Sequence, residues 1–122
     1  MNKKSSESFK IIFKNLDFFK LANDGLLSLH EDYDPDGFFV YSYEKAKTPG
    51  KFTKTLLDSA EGIVKNFSGE TDGYKIKNGV CFKARGDSIE YFSFKKGISY
   101  VACTETPRRI DIQDRIKINN NL

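Results

Sequence analysis

Tryptophan is absent from this chain of 122 residues, histidine occurs once, at His30, and cysteine twice, at Cys81 and Cys103. Each scarcity narrows the field. No recognisable nucleophile motif accompanies His30, which therefore reads as a strand or loop histidine rather than a catalytic one. Two thiols outside any CxxC pair offer no zinc-ligand pattern and are expected to be buried, inert and reduced. Gly-rich dinucleotide loops, phosphate-binding loops and Gly-x-Ser-x-Gly elbows are all missing. No apolar run approaches the roughly 20 residues of a membrane-spanning helix. The opening MNKKSSESF is basic but lacks the apolar stretch of about 7–15 residues that a secretory signal needs. The expectation is a cytoplasmic protein with no cofactor. One more absence is local: between Leu21 and Glu44 there is no Lys or Arg, while Asp24, Glu31, Asp32, Asp34 and Asp36 all fall there.

What is present describes a folded domain. Hydrophobic content of 39% and aromatic content of 14% exclude a disordered chain. The length fits one domain over 1–122, frayed at 1–5 and 119–122, able to bury a core without disulfides or metals. The net charge of +3 is too mild to argue for nucleic acid by itself. It is unevenly spread, with 7 basic and 8 acidic groups in residues 1–50 against 13 and 9 in residues 51–122.

Periodicity predicts α+β. Phe9, Ile12, Phe13, Leu16 and Phe19 form a helical stripe ended by the Asn-Asp-Gly at 23–25. The runs GLLSLH and FFVYSYE read as strands around a turn. A second helix is expected from Phe52 to Phe67, with Phe52, Leu56, Ala60, Ile63, Val64 and Phe67 inward. From Gly73 onward the text reads as an antiparallel meander with hairpin turns at Asn78-Gly79, Gly86-Asp87 and Lys96-Gly97. In that register Lys83 faces Glu90 across two strands. Residues 107–118 stay open: Thr106 as N-cap with Pro107 in the first turn favours a helix, whereas alternating isoleucines favour a strand.

The stretch DYDPDG begins as a calcium loop does, with Asp32, Asp34 and Asp36 at alternate positions and then Gly37. Position 12, however, is Tyr43, with Glu44 one place late. The cluster reads instead as a hairpin tip that could hold an ion only incidentally. Pro35 pre-sets the turn, and Gly37 takes the left-handed conformation. Lys83, Arg85, Lys95 and Lys96, beside Tyr91, Phe92 and Phe94, could meet single-stranded nucleic acid, an acidic protein surface or anionic lipid headgroups.

The order helix, hairpin, helix, meander, terminal helix is shared by profilins and by roadblock/longin modules. DGFFVYS (36–42), GIVKNF (62–67) and GYKIKNGVCFKARGD (73–87) resemble profilin text. That resemblance implies a central antiparallel sheet of about six strands, ordered α-β-β-α-β-β-β-β-(α), with helices on both sides. It also implies a non-enzymatic protein that binds actin or an actin-like monomer. Lys83 and Arg85 are then the best-matched contacts, and Lys95, Lys96 and Arg109 looser ones. Val40 stands where profilins that bind proline-rich segments carry a tryptophan, so polyproline binding is not expected. The alternatives are a dimeric roadblock/longin-like scaffold and a basic single-strand-binding module.

Overall fold

In the computed structural model the described residues are 24–44, 49–82, 86 and 88–122. The expected first helix lies outside them, as do Lys83 and Arg85. Among the described residues the chain runs β1 (Leu26–Asp32), β2 (Phe39–Tyr43), α1 (Lys51–Asp58), β3 (Gly69–Thr71), β4 (Tyr74–Ile76), β5 (Val80–Cys81), α2 (Ile89–Lys95), β6 (Val101–Pro107) and α3 (Ile112–Asn121). The α+β class holds. The sheet of six antiparallel strands does not: four strands form a mixed sheet in the order β1-β6-β2-β5, and β3-β4 is a separate hairpin.

The last strand sits in the middle. β6 pairs parallel with β1 and antiparallel with β2, and β2 pairs parallel with β5. Strands β1 and β2 therefore do not form the hairpin expected around DYDPDG, because β6 lies between them. All seven residues of β6 are buried, Val101 and Ala102 completely. Such a strand belongs at a sheet centre, whereas β1 is partly exposed and takes the edge.

Period-two alternation sends side chains to two cores. On one face Val40, Val80 and Ala102 pack with Phe38, Leu56 and Ala60 and with Ile118 of α3. On the other, Phe39, Tyr43, Cys81 and Val101 pack with Ile76, Ile98, Tyr91 and Phe94. Helices α1 and α3 cover the first face, and α2 with the β3-β4 hairpin covers the second.

Four local forecasts differ from the structure. Residues 88–95, expected as a strand, are helical: the Ser88 side chain caps the start by accepting from the Tyr91 N–H at 3.1 Å, and Glu90, Ser93 and Phe94 turn inward at helical spacing. Lys96-Gly97 ends that helix rather than turning a hairpin, with Gly97 at φ 105°. Helix α1 stops at Asp58 and gives way to turns. Thr106 and Pro107 close β6, and the terminal helix starts later, where Asp111 accepts from the Gln113 N–H at 2.7 Å. The Asn78-Gly79 turn is as expected, with φ of 50° and 80° at its two central residues.

Gly37 is required for a different reason from the one the sequence suggests. A Cβ there would lie 2.7 Å from the Phe67 nitrogen and 2.8 Å from the Lys65 oxygen. The segment 65–67 runs directly beside it, and Phe38 exchanges hydrogen bonds with Lys65 and Phe67 at 2.9 Å.

Glu44 ties the end of β2 to the start of α1. Its carboxylate accepts from the Gly50 N–H at 3.2 Å and from the Thr53 hydroxyl, and Thr53 bonds Ser42 at 2.6 Å. Glu44→Ala should therefore cost on the order of 1–2 kcal/mol in urea unfolding. A change below about 0.3 kcal/mol would show that the helix start needs no such partner.

Candidate metal centre

On β6, alternation sends Val101, Cys103 and Glu105 to the face under α2. The parallel register sets His30 beside Glu105, and the antiparallel register sets Tyr41 beside Cys103 and Tyr43 beside Val101. Glu90, in the first turn of α2, comes down onto the same place. The result is a cavity of about 190 Å³ lined by His30, Tyr41, Tyr43, Tyr74, Ser88, Glu90, Cys103 and Glu105.

Three donors converge there. A ring nitrogen of His30, a carboxylate oxygen of Glu90 and Sγ of Cys103 all lie within 4.8 Å of one another. Glu105 adjoins them: one of its carboxylate oxygens is 3.6 Å from His30 Nδ1 and accepts from the Cys103 thiol at 3.7 Å. Glu90 and Glu105 are 5% and 8% exposed, while the His30 side chain is 56% exposed at the mouth.

Burial in this acidic setting governs the titrations. It raises the Cys103 thiol far above its ordinary value, helped by the charges of Glu105 and Glu90. It pushes the Tyr43 hydroxyl up to about 12, although a hydrogen bond with Ser88 opposes the rise, and raises Tyr41 further. Desolvation, then the charge of Asp32, pushes Glu105 up to about 7.

The Glu105 shift makes the metal-free protein pH-sensitive. The folded chain keeps this proton up to about pH 7, whereas the unfolded chain releases it near 4.5. The contribution is fully present below pH 4.5 and is lost as pH rises through 7. Stability should fall by about 2 kcal/mol across that window, the full linkage value being reduced because the cavity opens to water. Urea titrations of wild type and Glu105→Gln check this, and an equal slope in both would assign it to another group.

The donors suit a borderline-soft divalent ion. Imidazole, carboxylate and thiolate are all zinc ligands, at about 2.0–2.3 Å, and donors on one tetrahedral ion sit under about 4 Å apart. A spread of at most 4.8 Å needs little closure. With a single histidine, the chain cannot form a His-Glu-x-x-His pair, so a centre built from it must mix donor types.

No protein-family model matches the chain, and no curated protein does. Solved structures do. A putative metallopeptidase from Shewanella denitrificans OS217 superposes with a TM-score of 0.84 at 30% identity, over 94% of this chain and 44% of that one. Another from Shewanella baltica OS155 gives 0.84 at 30%, over 92% and 42%. A third, from Shewanella amazonensis SB2B, gives 0.81 at 27%, over 91% and 42%. This chain spans less than half the length of each.

These likenesses overturn the profilin reading and, with it, actin binding, a cytoskeletal role and the exclusion of enzymes. The text that suggested profilin consists of short pieces any loop-to-strand junction can carry. The meander that was to present the actin-binding face is interrupted by α2. Glu90, expected on a strand opposite Lys83, is buried on that helix.

The other sequence candidates lie elsewhere. Lys95 stands over the Tyr91 ring, 5.9 Å from its centre, and Lys96 is exposed at the end of α2. Arg109 packs on Tyr33 at 4.3 Å and lies 3.9 Å from Asp34. Asp36 pairs with Lys65 at 3.0 Å, and the Asp34 N–H bonds Asp32 at 3.3 Å. The acidic loop thus has basic partners from the second half of the chain. No helix among the described residues is long and apolar enough to cross a membrane.

Sequence reasoning passed over His30, Cys103 and Glu105. A usable signal was the Cys-Thr-Glu at 103–105, which on a strand sets thiol and carboxylate on one face.

Proposed function

We propose that this chain is the metal-binding part of a hydrolase that cleaves peptide or related acyl bonds. The observation that carries the reading is the convergence of His30, Glu90 and Cys103 within 4.8 Å at a cavity. The kind of protein it resembles supports the reaction class. These three residues would hold a zinc ion, which supplies Lewis-acid polarisation of a carbonyl.

The chain's own groups do the rest. Tyr43, hydrogen-bonded to Ser88 and held protonated by burial, is placed to donate to a carbonyl oxygen in the cavity. The tyrosine walls orient the substrate. The test pairs zinc uptake by the metal-stripped protein with hydrolysis of a peptide mixture, with and without a chelator. One zinc per chain and chelator-sensitive cleavage are expected. Failure to take up zinc at micromolar concentration would overturn the reading.

A further inference from the structure

Resting on that reading, we infer that the outer edge of β1 at Leu29–Glu31 binds the substrate's main chain as an added strand, so that extended peptide feeds the cavity. β1 is an edge of the four-stranded sheet, and among the described residues it pairs with β6 alone. The Leu26 N–H donates to the Tyr100 oxygen at 2.9 Å, and the Asp32 oxygen accepts from the Arg108 N–H at 2.8 Å. Even-numbered residues of β1 therefore turn their backbone groups toward β6, and odd-numbered ones turn theirs outward. Leu29 and Glu31 thus present an N–H and a C=O each on the open edge, one residue on either side of His30. All three residues are exposed, Leu29 by 52%.

Sheet edges that stay bare are blocked by a proline, a lysine or a bulge. β1 carries none of these: it reads LLSLHED, and its register with β6 runs unbroken from Leu26 to Asp32. The carboxylate on the exposed stretch, Glu31, is tied back to Arg115 at 2.8 Å. An edge open in this way is a template for one more strand. Its position selects the guest. His30 stands within the exposed stretch with its ring at the cavity mouth, so a strand added about 4.8 Å outside β1 runs past the candidate centre. Every second side chain of that strand falls on the cavity's face of the sheet. Recognition is then by backbone, and the substrate class is unfolded or flexible peptide, read with little sequence preference along this edge.

Amide hydrogen exchange by NMR on the metal-free chain tests this, with the peptide acetyl-Ala-Val-Ala-Val-Ala-amide as probe. The probe should slow exchange at Leu29 and Glu31 and leave His30, whose N–H faces β6, unchanged. Single N-methyl groups walked along the probe should weaken binding at least about tenfold at two positions two residues apart, and less than about threefold between them, since each removes one main-chain donor. Leu29→Pro removes an outward N–H without touching the β6 ladder, so it should lose the probe and keep its zinc affinity. The N-methyl walk uses wild-type protein and decides the matter even where that variant misfolds. No slowing at Leu29 and Glu31 with millimolar probe, or losses without the two-residue spacing, would overturn the inference. So would protection of both amides without peptide that rises with protein concentration, because a second copy then holds the edge. Zinc uptake is measured separately: a chain that binds the probe on β1 but no zinc sinks the metal reading and leaves the strand site standing, and one that binds zinc without protecting the edge does the reverse.

Discussion

Replacing Cys103 by serine should lower zinc affinity more than about 100-fold, and His30→Ala should do the same, with the fold intact. Cys103 is the soft donor of the set and is fixed twice, by the β6 ladder and by the register with Tyr41. Serine keeps the shape of the site but offers a hydroxyl that does not ionise as a thiol does. His30 is more exposed, so its loss should cost little stability and nearly all of its effect should fall on the ion. Competition against a chromophoric chelator gives the affinities, and circular dichroism shows whether the fold survives. Cys81→Ser is the control: Cys81 flanks Tyr41 in the sheet register as Cys103 does, but it lies outside the donor group, so the variant's zinc affinity should stay at the wild-type level. Loss of affinity in the Cys81 variant but not the Cys103 variant would place the thiol ligand elsewhere.

Phe39→Ala should cost about 3–5 kcal/mol, more than any other single truncation considered. Phe39 is fully buried on β2 and meets Tyr41 at 5.3 Å and Phe67 at 5.7 Å between ring centres. It joins the sheet to the segment leading into β3, and it lies directly opposite Glu105 in the β2–β6 register. Truncation leaves a cavity beneath the site as well as losing buried area. Urea unfolding measures the cost, and a value under about 1.5 kcal/mol would mean that the core closes over the gap.

Hydrophobic period was enough to find β2, α1, the Asn78-Gly79 turn and the α+β class, because each is set by residues close together in the chain. Pairing order was not legible. Nothing local to 101–107 says that this strand inserts between β1 and β2, and that insertion alone brings His30 beside Glu105. Residues 88–95 read as a strand because Ile89 and Tyr91, and likewise Phe92 and Phe94, fall two apart. The helix depends on a serine cap and on burying Glu90 and Ser93, which the apolar pattern does not mark. The site was missed for the same reason: its donors come from β1, α2 and β6, and none belongs to a contiguous motif.

The central claim is that His30, Glu90 and Cys103 form one metal centre. X-ray absorption spectroscopy of the zinc-loaded chain tests it most directly. The account predicts one sulfur at about 2.3 Å with nitrogen and oxygen neighbours at about 2.0–2.2 Å, and loss of the sulfur shell in Cys103→Ser. A first shell of oxygen and nitrogen alone in the wild-type protein would contradict it.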